Sequence, residues 1–168
     1  MFKKLLLITL IFSLSLKGTM KLTSPAFSHN GSIPSQYTCD GADVSPALEW
    51  SDEPEGTKSF ALIVDDPDAP AKVWVHWVVF NIPNTVRSLA EGASVADFTS
   101  GATDFNGKRT WGGPCPPSGI HHYQFTLYAL DTVLNDLPAG ASKEQLLKAM
   151  EGHIIEQTTL VGTYQRKK

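Results

Sequence analysis

The stretch Ser59–Phe80, SFALIVDDPDAPAKVWVHWVVF, contains two apolar runs separated by a turn-rich segment. The first run, Ser59–Asp65, is short and is followed by Asp66–Pro70 (DPDAP), where two prolines exclude helical backbone. The second run, Val73–Phe80, is dense in β-branched and aromatic residues. The stretch therefore predicts two β-strands joined by a rigid turn.

Strand patterns continue on both sides of this stretch. His121–Leu130 (HHYQFTLYAL) is a third strong run, bounded by glycine before it and aspartate after it. Weaker strands are predicted at Lys21–Phe27 and Ala47–Trp50. Ala90–Gly113 is rich in small and polar residues without a clear period, which indicates a long irregular connection of the kind that often carries function.

The C-terminal part predicts one short helix followed by a strand. Ser142–Gln145 has the pattern of a capping box, apolar residues follow at helical spacing over Leu146–Met150, and Gly152 ends the helix. His153–Gln165 is rich enough in Ile, Thr and Val to form a further strand. Several strands followed by a late helix predict a mainly β fold with a minor α component.

Length and composition are those of one globular domain. The chain has 168 residues, 42% hydrophobic and 18% charged, and 14 basic against 17 acidic side chains give a net charge of -3. No internal repeat is visible, so we predict a single domain over residues 20–168. The mild acidic balance argues against a nucleic-acid surface, and small molecules or proteins are the expected partners.

The N-terminus has the pattern of a secretory signal peptide. Lys3 and Lys4 precede an apolar and hydroxyl run, Leu5–Leu16, that is too short to span a bilayer. We therefore predict a signal peptide over residues 1–19 and an exported protein, periplasmic or secreted, with no stable membrane span. The alternative is that Met20 is the true start, in which case the protein is cytoplasmic.

The chain contains two cysteines, Cys39 in YTCDG and Cys115 in GGPCPP, both in loop-like surroundings. In an exported protein a small, even number of cysteines indicates a disulfide. Because sequence carries no geometry, two unrelated thiols remain the alternative.

Several polar side chains fall at rigid positions. Alternation along the third strand places His121 and Tyr123 on one face and His122 on the other. The same alternation places His76 on a face with Trp74, Val78 and Phe80. Such a histidine is often a hydrogen-bonded structural residue.

Two carboxylates, Asp66 and Asp68, lie in the turn between the first two strands. Either can simply cap that turn. Taken with the histidines and the tyrosine, they have the composition of a small polar pocket.

Other chemistries have weaker support. His121 and His122 face opposite ways and cannot both bind one ion, so no metal site is predicted. Ser45 and Ser118 lie in no nucleophile elbow, and no catalytic triad is evident. Cys115 as a nucleophile beside His121 is disfavoured by its flanking prolines and its candidate disulfide partner.

Three motifs in order resemble those of the phosphatidylethanolamine-binding protein family, especially its bacterial Raf kinase inhibitor-like branch. They are DPDAP at Asp66–Pro70, VHW at Val75–Trp77 and GPCPPSGIHHY at Gly113–Tyr123. The resemblance extends to Tyr37–Pro46 (YTCDGADVSP) and Leu160–Tyr164 (LVGTY), and so covers nearly the whole chain after Met20. Each motif is a weak signal alone, but the ordered combination is specific.

The resemblance implies two packed sheets with a few peripheral helices and a small cavity that binds phosphate or the phosphoryl head group of a lipid. Two positions depart from the family pattern, His122 where arginine is usual and Trp111 where tyrosine is usual. The residues that the resemblance assigns to the cavity are Asp66, Asp68, His76, Gly113, Pro114, His121 and Tyr123.

The leading function is a non-enzymatic binding protein for a small anion, with no cofactor. Imidazolium and backbone N–H groups and the tyrosine hydroxyl are suitable donors for phosphate. A carboxylate beside an anion is tolerated if it orients a histidine or is itself protonated. The alternatives are an inhibitor or scaffold of a protein partner such as a kinase or protease, and an enzyme using His and Asp for acid–base chemistry.

Overall fold

The structure is a computed structural model that describes residues 18–94 and 98–166. The predicted signal peptide lies outside the described residues except for Gly18 and Thr19. The strands are β1 (Lys21–Thr23), β2 (Gly31–Ser32), β3 (Leu48–Ser51), β4 (Ser59–Asp66), β5 (Trp74–Pro83), β6 (Ser88–Leu89), β7 (Thr99–Ser100), β8 (His121–Leu130) and β9 (Ile154–Tyr164), and the helix is α1 (Lys143–Met150).

The strands form two sheets. The larger sheet has six strands in the order β2-β9-β8-β4-β5-β7, antiparallel throughout except that β2 runs parallel to β9. The smaller sheet has three antiparallel strands in the order β1-β3-β6. The prediction of a mainly β fold with two sheets is confirmed, and the described part of the chain has one α-helix and a single 3-10 turn at Ser35–Tyr37.

The main core lies between the two sheets. Leu48 and Trp50 of the small sheet pack with Phe60, Trp77 and Phe125 of the large sheet. The opposite face of the large sheet packs on α1 in a second apolar cluster. Strand β4 is therefore buried on both faces, which explains why its sequence is a continuous apolar run instead of an alternating one.

Strand β9 is the last of the described elements but lies inside the large sheet. It pairs with β8 along nearly its whole length, from His121↔Tyr164 to Leu130↔Ile154. The predicted strand at His153–Gln165 is thus confirmed to within one residue at each end.

The predicted capping box of α1 is present. The Gln145 backbone N–H donates to Ser142 Oγ over 3.2 Å, and the Ser142 N–H donates to Gln145 Oε1 over 2.8 Å. Gly152 follows the helix with a φ of 77°, a left-handed conformation that glycine adopts without strain. No helix in the described ranges is long and apolar enough to cross a membrane.

Two details of the predicted strands were wrong. The predicted strand Lys21–Phe27 ends at Thr23, because Pro25 lacks an N–H to continue the ladder. In β5 the register shifts by one residue between Trp77 and Val75, which makes a β-bulge at His76.

This bulge changes the neighbours of the His76 side chain. The imidazole contacts Phe105, as Trp74 does, so those two residues share a side as predicted. Val78 and Phe80 instead pack in the cluster under α1, on the other face of the sheet. Side chains do not alternate regularly between the two faces of the sheet here, because the extra residue at the bulge shifts the pattern by one position.

Candidate ligand cavity

A cavity of about 360 Å³ opens at the end of the large sheet where β4 leaves, β5 begins and β8 begins. Its polar side chains are a carboxylate and two imidazoles, and most of its wall is apolar. The lining residues are Asp66, Ala69, Pro70, Ala71, Trp74, His76, Phe105, Cys115, Pro116, Pro117 and His121.

Asp66 and His121 form a buried pair at the base of this cavity. His121 Nδ1 lies 2.7 Å from Asp66 Oδ2, and the two residues are only 6% and 3% exposed. Asp66 Oδ1 accepts a hydrogen bond from the Asp68 backbone N–H at 2.9 Å. Because the carboxylate requires a donor, His121 carries its proton on Nδ1, and Nε2 is the ring atom left for a ligand.

His76 is fixed in the same way by a carbonyl. Its Nδ1 donates to the Gly112 carbonyl over 2.6 Å, so Nε2 is again the free nitrogen. Burial lowers the pKa of His76, although the Gly112 hydrogen bond and the Asp66 charge act in the opposite direction. The ring is therefore neutral near pH 7, with a lone pair on Nε2.

The lowered pKa of His76 predicts a loss of stability in mild acid. The unfolded chain takes up a proton as the pH falls through about 6.5, whereas the folded chain does not. We expect urea denaturation to show a free energy of unfolding that falls as the pH is lowered from about 7 to about 5, by at most about 1.4 kcal/mol per unit from this group. Above that range His76 is neutral in both the folded and the unfolded chain, so it does not contribute to the pH dependence of the free energy of unfolding.

The control for this prediction is His76→Asn, whose amide nitrogen can replace Nδ1 as donor to the Gly112 carbonyl. The variant removes only the titrating group, so its stability should depend less steeply on pH than that of the parent chain. Identical pH profiles would contradict the lowered pKa.

Tyr123 lies beneath the cavity and is not part of its lining. Its ring makes an edge contact with the His76 ring, with 5.2 Å between the ring centroids. The hydroxyl is buried without a hydrogen-bond partner among the described residues. Burial, reinforced by the negative charges of Asp66 and Asp68, raises the pKa of Tyr123, so the phenol is neutral and able to donate.

Asp68 pairs with His122 on the outside of the site. Its Oδ2 lies 2.7 Å from His122 Nδ1 and accepts the His122 backbone N–H at 2.8 Å. Both side chains are well exposed, and the hydrogen bonds from His122 lower the pKa of Asp68. His122 faces away from the cavity, as alternation predicted, and Asp68 is held with it.

Gly113 and Pro114 lie directly behind the cavity wall. The Gly113 N–H, which was expected to be a free donor, is hydrogen-bonded to Asp43 Oδ1 at 2.7 Å. A side chain at position 113 would meet this carboxylate and the Tyr37 carbonyl at 2.4 Å, so glycine is required for the close approach.

We call residues 112–119 the wall loop and residues 37–43 the clamp segment. Besides the contact with Gly113, the clamp segment donates from Cys39 N–H to the Pro114 carbonyl at 3.1 Å. Trp111, just before the wall loop, donates from Nε1 to the Tyr37 carbonyl at 3.2 Å. Asp43 makes its contact from a left-handed backbone, with φ at 55°.

A disulfide completes the connection between these two segments. Cys39 and Cys115 are bonded to each other, and the structure shows no free cysteine in its described ranges. The predicted bridge is present, so Cys115 carries no free thiol, in agreement with the sequence argument against a nucleophilic role. Nor does any group of three or more potential metal ligands occur within residues 18–94 and 98–166.

Sequence reasoning missed most of the apolar wall. Trp74 was placed on the same face as His76 but was not assigned to the cavity. Phe105 lies in the irregular connection, where no periodicity exists. Asp43 belongs to the Tyr37–Pro46 motif, but nothing in that motif shows that its side chain holds Gly113. The position of Pro116 and Pro117 follows from the disulfide.

Comparisons with known proteins agree with this architecture. The family model described as phosphatidylethanolamine-binding protein matches residues 23–165. A UPF0098 protein of Methanothermobacter thermautotrophicus is 54% identical over 151 residues, which cover 88% of this chain and 99% of the relative. A UPF0098 protein of Chlamydia trachomatis is 47% identical over 152 residues, with coverage of 88% and 99%.

Two crystal structures are similar in fold as well as in sequence. One is a Chlamydia trachomatis protein described as a phosphatidylethanolamine-binding protein homologue, with a TM-score of 0.84, 45% identity and coverage of 89% of this chain and 99% of that one. The other is Escherichia coli YbcL, described as a member of the mammalian family, with a TM-score of 0.80, 34% identity and coverage of 89% and 100%. The chain belongs to the phosphatidylethanolamine-binding protein family.

Proposed function

We propose that the protein is a non-enzymatic binding protein whose cavity takes a phosphate or the phosphoryl group of a small ligand. The observation that carries this proposal is that two imidazoles are hydrogen-bonded to the protein through the same ring nitrogen. His76 and His121 both line the cavity, both have Nδ1 committed to the protein, and both keep Nε2 for a ligand. Two anchored nitrogens on one small cavity can hold a single tetrahedral anion without moving.

The carboxylate in the site supports this proposal. Asp66 directs one oxygen to His121 Nδ1 and the other to the Asp68 backbone N–H, so its negative charge is already compensated. It acts on the ligand through His121, whose orientation and tautomer it fixes. Asp66 is thus a positioning residue.

The protonation states predict how an anion binds. A neutral Nε2 accepts a hydrogen bond from a protonated phosphate oxygen, and a protonated Nε2 donates to an unprotonated one. Because a bound anion favours the imidazolium, binding should take up a proton and strengthen as the pH falls through the histidine range. The aromatic walls, Trp74 and Phe105, suit the less polar part of a larger ligand.

The test is a titration with inorganic phosphate and with phosphorylethanolamine, followed by the NMR signals of the histidine rings. We expect the His76 and His121 signals to shift with saturation and the dissociation constant to decrease from about pH 7.5 to about pH 6. His121→Ala should lose most of the affinity, because it removes one of the two anchored nitrogens.

His122→Ala is the matched control, since it removes the neighbouring imidazole that faces away from the cavity. It should bind phosphate as the parent chain does. A parent protein whose ring signals respond to neither ligand would refute the proposed site, and an affinity independent of pH would refute the protonation scheme.

The proposal includes export to an oxidising compartment. The charged and apolar pattern of residues 1–19 and the disulfide both favour it, because disulfides persist outside the reducing cytosol. Recovery of a shortened chain from the periplasm or the medium would support export. A full-length chain that stays in the cytosol would contradict it.

A further inference from the structure

The part of the wall loop that touches the cavity depends on the disulfide for its attachment. Cys115, Pro116 and Pro117 line the cavity. The hydrogen bonds from the clamp segment reach the loop at Gly113 and Pro114, before this part begins. In the described ranges no hydrogen bond joins residues 115–120 to the rest of the protein, and paired strand resumes at His121.

The same disulfide is open to solvent. Cys39 and Cys115 are both exposed residues, and Cys115 faces the cavity. A thiol reagent can therefore reach the bond in the folded protein, whereas a buried disulfide would first require unfolding.

We propose that the Cys39–Cys115 disulfide is a redox site that is coupled to ligand binding in the cavity. This rests on the proposed function, because the coupled ligand is the anion held by His76 and His121. A dithiol reductant supplies two electrons and two protons. The S–S bond becomes two thiols, and the reductant leaves as its own disulfide.

Reduction frees one wall of the cavity. Residues 115–117 then sample positions away from the ligand, and the apparent affinity is the intrinsic affinity multiplied by the fraction of time that the wall is in place. By linkage, a bound anion must oppose reduction to the same degree. The protein therefore binds its ligand tightly when oxidised and releases it when reduced.

The first measurement compares phosphate affinity in the oxidised protein and in the Cys39→Ala/Cys115→Ala variant, which cannot form the bond. We expect the variant to bind at least about fivefold more weakly, as for other coupled sites. Its backbone amides in β8 should remain protected from exchange with solvent, which shows that the sheet is intact in the variant. Ser118→Ala, in the same loop with the bridge intact, should keep the affinity of the parent chain.

The second measurement needs only the oxidised protein and so does not depend on the stability of the variant. At equilibrium with mixtures of reduced and oxidised dithiothreitol, half-reduction of the bridge should require a several-fold higher ratio of reduced to oxidised reagent at saturating phosphate. His121→Ala, which lacks the phosphate site, should lose this protection. A reduction rate that is unchanged by low, non-denaturing urea shows that the reagent attacks the folded state.

The outcomes separate the two proposals. If phosphate fails to shift the ring signals of the oxidised protein, the proposed function is refuted and the coupling with it. If phosphate binds but the oxidised protein and the double variant have equal affinities, or phosphate leaves the equilibrium between disulfide and dithiol unchanged, only the redox coupling is refuted.

Discussion

Removal of the Cys39–Cys115 disulfide is expected to lower the free energy of unfolding by about 4 kcal/mol, the loop-closure value for two cysteines separated by 76 residues. The bridge restricts the unfolded chain by closing a loop that includes β3, β4 and β5. Reduction restores that freedom and so favours the unfolded state. This is a large share of the total stability of a single domain.

The measurement is equilibrium unfolding in urea of the oxidised protein and of the Cys39→Ala/Cys115→Ala variant. The variant should unfold at a clearly lower urea concentration. Since a more expanded unfolded state exposes more surface, the dependence on urea should also be steeper. Equal midpoints would show that the bridge contributes nothing to global stability.

Asp66→Ala is expected to destabilise the protein by about 3 kcal/mol, whereas Asp68→Ala should cost less than about 1 kcal/mol. The two residues lie two positions apart in one turn, and each places Oδ2 2.7 Å from the Nδ1 of a histidine. They differ in surroundings. The Asp66–His121 pair is buried, and the Asp68–His122 pair is about half exposed.

The difference follows from solvation. Removal of Asp66 leaves the His121 Nδ1–H buried without an acceptor, and water cannot readily replace it. His122, released from Asp68, is hydrated at once, and the exposed ion pair was already weakened by solvent. Thermal unfolding of the two variants measures the contrast, and similar losses for both would contradict it.

The same two variants also show which of the two carboxylates takes part in phosphate binding. Asp66→Ala should also weaken phosphate binding, because His121 loses the group that orients its ring. Asp68→Ala should leave binding unchanged. A loss of affinity in Asp68→Ala as large as that in Asp66→Ala would show that the outer pair takes part in the site.

The strands could be predicted where their sequences are rich in apolar and β-branched residues. β4, β5, β8 and β9 are long and apolar or β-branched, and all four were predicted, with the largest boundary error of three residues at the C-terminal end of β5. β2, β6 and β7 have two residues each, too few to show any period. They form because neighbouring strands supply hydrogen-bond partners, which is tertiary information.

The candidate site was predictable in its polar members but not in its shape. Alternation separated His121 from His122 correctly, because β8 has no bulge between those residues. It failed for His76, where a bulge in β5 is specified by the pairing with β4. Which member of the DPDAP turn meets which histidine depends on side-chain packing, and sequence spacing cannot show it.

The interior position of β9 has a consequence for biosynthesis. Until β9 has been synthesised and paired, β8 has an unpaired edge over ten residues that bear Tyr123, Phe125 and Leu127. An exposed edge of this kind can pair with other unfinished chains and aggregate. Pairing of β9 with β8 covers this edge and so removes a site of aggregation from the finished fold.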